Sequence, residues 1–69
     1  MKYFIGEFAT LVSLSAHTLR YYEKEQLLIV ERDTGGRRYY TEKDVTWILF
    51  IKKLKETGMS IKEIKKGQD

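Results

Sequence analysis

Ser13-Leu14-Ser15-Ala16-His17-Thr18-Leu19-Arg20-Tyr21-Tyr22-Glu23-Lys24 decides how the rest of this chain is read. It holds a tight break, a serine suited to cap a helix, and then a short segment with two unlike faces. At about 100° per residue, Ala16, Leu19 and Tyr22 fall on one side, with Gln26 following them. His17, Arg20, Tyr21 and Lys24 fall on the other, at helical spacings. The first side suits a core. The second offers two fixed cations, a phenol and an imidazole, donors that match the base edges and phosphates of a nucleic acid. Ser15 is placed to accept the free backbone N–H of Thr18 and so start this helix.

Upstream, residues 3–12 are predicted to form a first helix. Ile5, Phe8, Ala9 and Val12 make an apolar stripe, and Glu7 complements the N-terminal dipole. Two short helices across so brief a break make a helix-turn-helix, whose second member is the recognition helix.

Downstream, Leu27-Leu28-Ile29-Val30 is a compact apolar run. Gly35-Gly36 is a hairpin signal, so residues 29–32 and 37–40 are expected to pair as two short strands. Such a ribbon is barely stable alone and should lean on the helices through Ile29, Val30 and one of Tyr39 and Tyr40. Arg37 and Arg38, next to its tip, suit a wing that follows a phosphate backbone. Adjacent strand residues point to opposite faces, so the two arginines should do different jobs. Thr41 with Asp44 opens a third helix, expected to reach about Thr57 and to bury Val45, Ile48, Ile51 and Leu54, with Phe50 joining them. Gly58 stops it. Ser60-Ile61-Lys62-Glu63 is a capping box for a short last helix with Ile61 and Ile64 inward. The fold class expected is mainly α with a small β-hairpin, a winged helix-turn-helix in the order helix, helix, wing, helix, short helix, forming one domain over residues 1–69.

Composition limits the alternatives. A chain of 69 residues buries only roughly 60% of its unfolded surface. It has no cysteine and a single histidine, which exclude disulfide and zinc staples. Stability must come from the 42% of residues that are hydrophobic, or from a partner. A net charge of +3 and a pI near 9.2 are compatible with a nucleic-acid partner. No run approaches a membrane span and no signal peptide is apparent, so a cytoplasmic protein without membrane partners is expected. No catalytic constellation can be assembled from these residues, and no enzyme activity or cofactor is expected. The lysines at 52, 53, 55, 62, 65 and 66 read either as a solvated face or as an extension of the positive surface. Trp47 reads either as a residue half-buried beneath a loop or as a contact to a second subunit.

Taken together, Ile5-Gly6-Glu7, Ser15, Leu19-Arg20-Tyr21-Tyr22-Glu23, Leu27-Leu28, Arg38-Tyr39-Tyr40, Asp44-Val45 and Leu54-Lys55-Glu56-Thr57-Gly58 resemble, in order and spacing, the DNA-binding domain of the MerR family of transcription regulators. The resemblance implies sequence-specific binding of double-stranded promoter DNA by a dimer. That dimer distorts an over-long promoter spacer, so that RNA polymerase is engaged indirectly. Carried over residue by residue, it implies DNA contacts from Arg20, Tyr21, Tyr22 and Glu23 on the helix, Arg38 on the wing, and Lys55 late on the third helix. With Ser15, His17, Thr18, Lys24 and Arg37 from the reading above, these are the candidate DNA-binding residues. His17 stands where the family often has arginine or lysine, Arg37 where it often has tyrosine, and Ile29-Val30 lacks a usual proline. The family's dimerisation helix and effector domain have no counterpart before Asp69. The chain is therefore expected to be either a DNA-binding fragment of a longer regulator that dimerises at full length or a stand-alone module. By itself it is expected to be mostly monomeric and a weak half-site binder. An excisionase-like architectural DNA-binding factor and a protein-interaction module using Trp47 are the competing readings.

Overall fold

The computed structural model describes residues 1–67. Four helices and one hairpin follow in the order α1 (Ile5–Val12), α2 (Ala16–Lys24), β1 (Glu31–Arg32), β2 (Arg38–Tyr39), α3 (Glu42–Glu56) and α4 (Ile61–Lys66). This is the expected order. Among the described residues, no helix is long and apolar enough to cross a membrane.

Helix α1 starts two residues later than the periodicity predicts. Tyr3 instead forms a β-bridge with Tyr40: its N–H donates to the Tyr40 carbonyl and its own carbonyl accepts the Tyr40 N–H, both at 2.8 Å. Phe4 becomes the N-cap, its N–H donating to Glu7 Oε1 at 3.4 Å. Ser13 closes the helix in the left-handed region at φ 55°. Ser15 then caps α2 as expected, accepting the Thr18 N–H at 3.1 Å. Removing that acceptor by Ser15→Ala is expected to cost about 1 kcal/mol, a loss of several degrees in melting temperature for a domain of this size. Thermal unfolding followed by circular dichroism checks this, and an unchanged midpoint would mean that the cap is not holding the helix.

Helix α2 ends before Gln26, which turns out of the helix at φ 64° and is exposed, so Gln26 does not extend the buried stripe. The hairpin is shorter than expected, with Glu31 opposite Tyr39 and Arg32 opposite Arg38. Asp33 accounts for the difference. Its carbonyl accepts the Gly36 N–H at 2.9 Å, while its Oδ1 accepts the N–H groups of Gly35 and Arg37 at 3.0 and 2.9 Å. The side chain thus organises a five-residue loop, with Gly36 at φ 81°, in place of a two-residue Gly-Gly turn.

Helix α3 carries the expected cap, the Thr41 N–H donating to Asp44 Oδ2 at 2.9 Å. Gly58 follows its end at φ 94°, where a Cβ would be strained. The capping box of α4 forms through Ser60 and Glu63, 3.1 Å in each direction. The Ser60 backbone N–H foremost, with the Ser60 side chain adding, holds the exposed Glu63 carboxyl below its usual pKa.

The core is made by Phe8 and Val12 of α1, Leu19 and Tyr22 of α2, Leu27, Leu28 and Tyr40 of the connecting segments, Ile48 and Ile51 of α3, and Ile64 of α4. Phe8 and Tyr40 stack face to face, with ring centroids 4.3 Å apart and 6° between planes. Val45, Leu54 and Ile61 pack against this core from its edge. Two expected core residues lie outside it: Ile29 is 82% exposed and Phe50 is 51% exposed. Ile29 precedes the short strand, so of the apolar anchors expected for the ribbon Val30 and Tyr40 remain. Phe50 lies on α3 away from the buried pair Ile48 and Ile51.

Candidate nucleic-acid interface

Helix α2 shows the two faces its sequence implies. Leu19 and Tyr22 are buried, whereas His17, Arg20, Tyr21 and Lys24 are exposed. Tyr22 is only 5% exposed, so its ring belongs to the core and little of it remains for a ligand. Burial foremost, with the neighbouring Tyr21 adding, pushes the Tyr22 phenol above its usual pKa, and it stays a neutral donor at physiological pH. Thr18 is half-buried and shares its hydroxyl with Ser15 Oγ at 3.0 Å. Both residues are therefore engaged in part by the cap, which leaves His17, Arg20, Tyr21 and Lys24 as the open donors of the helix.

The wing lies beside this face. Arg38 Nη1 is 3.2 Å from Glu23 Oε2, an ion pair that ties β2 to the last turn of α2. Being partly exposed at both ends, the pair adds at most about 1 kcal/mol of stability. Its larger effect is to fix the wing against the helix and to offset one positive charge. Arg20 also approaches. Together with Phe4, Ile5, Arg37 and Arg38 it lines a cleft of about 190 Å³ between the start of α1, α2 and the wing. The Tyr40 phenol senses both elements: burial chiefly, then Glu23, raises its pKa, while Arg38 and Arg20 pull the other way. The two arginines of the wing make different contacts, as expected, but strand alternation is not the cause, because Arg37 lies in the loop before β2 and both line the same cleft. Arg38 is paired, whereas the Arg37 guanidinium lies over the Phe4 ring, 3.5 Å from its centroid.

Lys55 is exposed in the last turn of α3. Lys52, grouped with it by sequence, is a structural residue. Its Nζ donates to the Val12 carbonyl at 2.8 Å and so closes the C-terminus of α1. Trp47 is half-buried, its indole N–H donating to the Leu27 carbonyl at 2.6 Å. That is the loop-covered reading of this residue. Leu49 and Phe50 remain exposed beside it. No group of three or more metal-ligating side chains occurs among the described residues.

Sequence reasoning missed the Glu23–Arg38 pair and the stacking of Arg37 on Phe4. A signal for the second was present. Lys2 and Phe4 alternate cation and aromatic, and Arg37 and Tyr39 do the same. Lys2 Nζ indeed sits 4.6 Å from the centre of the Tyr39 ring.

A helix-turn-helix with an arginine-bearing β-ribbon beside its second helix is the architecture of a winged-helix DNA-binding domain. Residues 3–68 match the MerR HTH family of regulatory proteins. Over 65 residues the chain is 51% identical to an uncharacterised HTH-type transcriptional regulator, YyaN, of Bacillus subtilis, covering 93% of this chain and 47% of that protein. It is 41% identical over 64 residues to the regulator ZntR of Escherichia coli, covering 91% and 45%. Among solved structures it superposes with a TM-score of 0.87, at 46% identity, on HiNmlR, a MerR family regulator lacking the sensor domain, bound to promoter DNA. That match covers 96% of this chain and 51% of the other. A MerR family regulator from Bacillus cereus gives 0.88 at 34% identity. The chain belongs to the MerR family, as a DNA-binding domain of its transcription regulators. It spans about half the length of the relatives it matches.

Proposed function

We propose that this domain reads double-stranded operator DNA by laying α2 in the major groove and the β1–β2 wing on the neighbouring backbone. His17, Arg20 and Tyr21 face base edges and phosphates, Lys24 and Lys55 add backbone contacts, and Arg38, held by Glu23, sets the wing. The observation that carries this reading is the open polar face of α2 beside the wing, in a fold that superposes on a DNA-bound regulator at 46% identity. Where such a domain is carried with a dimerisation helix, two copies bind a palindromic promoter and distort it, so that RNA polymerase engages both promoter elements. The compartment is the cytoplasm, where that DNA is.

The test is the salt dependence of binding. Each phosphate neutralised contributes about −0.9 to the slope of log affinity against log salt. A slope of about −3 or steeper is expected for a face offering these cations. A flat response would instead favour an apolar protein interface. Selection of bound duplexes from a random pool then yields the operator half-site.

A further inference from the structure

We infer that Phe4 is a positioning residue that holds Arg37 as a preset phosphate contact of the wing. The inference rests on the DNA-binding reading above and adds to it a residue outside both the recognition helix and the wing. Three arginines occupy the hairpin, and two of them are engaged within the chain. Arg32 Nη1 donates to the Gly36 carbonyl at 2.9 Å, and Arg38 pairs with Glu23 at 3.2 Å. Arg37 is different. Among the described residues its guanidinium has no carboxylate within ion-pair distance and makes no side-chain hydrogen bond; its contact is the Phe4 ring.

A guanidinium lying on an aromatic face is attracted by the ring quadrupole and keeps its N–H edge free. Phenylalanine has no acceptor, so it orients the fork without occupying any donor. Both partners of the stack are anchored. The backbone of Arg37 is held by Asp33 on either side of its peptide, its N–H donating to Oδ1 and its carbonyl accepting the Asp33 N–H, each 2.9 Å. The carboxylate of the loop is thus occupied by backbone N–H groups. Phe4 follows Tyr3, whose bridge to Tyr40 fastens this segment to the base of the same wing. Arg37 joins Arg20 and Arg38 around a shared cleft. Among the described residues, only Arg38 of the three arginines there is paired with a carboxylate, that of Glu23, so the cleft keeps a net positive charge that suits the phosphates of a DNA backbone.

The experiment uses the full chain and a short fluorescein-labelled duplex of mixed sequence, titrated between about 50 and 200 mM salt. Arg37→Ala is expected to weaken binding about fivefold and to make the salt slope shallower by about 0.9. Phe4→Leu is expected to weaken binding about threefold in the wild-type background and to have no further effect in the Arg37→Ala background, the signature of coupled residues. Arg37→Lys keeps the charge and leaves the packing of Phe4 undisturbed. It is expected to retain the slope but bind about twofold to threefold more weakly, because an ammonium cannot lie flat on the ring. Equal losses from Phe4→Leu in both backgrounds would make Phe4 merely structural and overturn the inference. So would an unchanged slope for Arg37→Ala, or wild-type affinity for Arg37→Lys. The lysine variant decides the matter if Phe4→Leu does not fold. Wild-type protein that ignores the duplex at every salt concentration would sink the DNA-binding reading itself, and the inference with it.

Discussion

Phe8→Ala is expected to leave the domain largely unfolded at room temperature. Phe8 is fully buried and stacks on Tyr40 at 4.3 Å. Truncating a buried phenylalanine costs about 3–5 kcal/mol through lost transfer free energy and the cavity left behind. The stacking geometry adds about 0.5–1.5 kcal/mol beyond burial. A domain of this size has little reserve, on the order of 5 kcal/mol at the low end of the usual range. The loss is also shared between elements: α1 would lose its anchor and Tyr40 its stacking partner, so the wing would be released as well. The far-UV circular dichroism of the variant should show most helical signal lost, and a melting temperature within a few degrees of wild type would refute this weight placed on Phe8. Phe8→Leu keeps most of the volume and should be milder.

The second large effect is on binding rather than folding. Arg20→Ala is expected to weaken DNA binding by about 1–3 kcal/mol, roughly fivefold to 150-fold, while the helical signal and melting temperature stay close to wild type. The Arg20 side chain is exposed and, among the described residues, takes part in no ion pair or hydrogen bond, so its removal leaves nothing buried and unsatisfied. Its place between the recognition helix and the cleft shared with Arg37 and Arg38 explains the expected size. Fluorescence anisotropy on a selected operator half-site measures it. If Arg20 reads a base, the loss is larger on the operator than on mixed-sequence DNA. If it holds a phosphate, both fall together and the salt slope becomes shallower by about 0.9. Wild-type affinity on both duplexes would mean that α2 is not the docking element.

What could be read in advance depended on how locally each feature is determined. Ser15 capping Thr18, the opposed faces of α2, and the caps of α3 and α4 all lie within one or two helical turns, and each appears as expected. The structure departs from the simple pattern in three places, for three different reasons. Tyr3 has a helical neighbour pattern but is held as a bridge by Tyr40, on the far side of the wing. The Gly35-Gly36 signal named the turn region correctly, yet Asp33 sets its length through its own carboxylate. Helix α3 is apolar on more than one side, so periodicity could not tell Phe50, which is half exposed, from Ile51, which is fully buried. In the candidate site, the open residues of α2 were legible one by one. Their mutual arrangement was not: Glu23–Arg38 and Phe4–Arg37 join residues far apart in sequence, and neither pair belongs to a repeat period.

The bridge between Tyr3 and Tyr40 also bears on how the domain comes to exist. Synthesis releases Tyr3 well before Tyr40, which is both its hydrogen-bonding partner and the lid over Phe8. Until the second wing strand leaves the ribosome, the first helix has an apolar stripe with no cover for its largest ring. The helix-turn-helix that would read DNA is therefore not an independent folding unit. A nascent chain halted at the wing tip should remain sensitive to protease around Phe8, and protection should arrive once the residues from Arg38 to Tyr40 and the α3 helix behind them are free to pack.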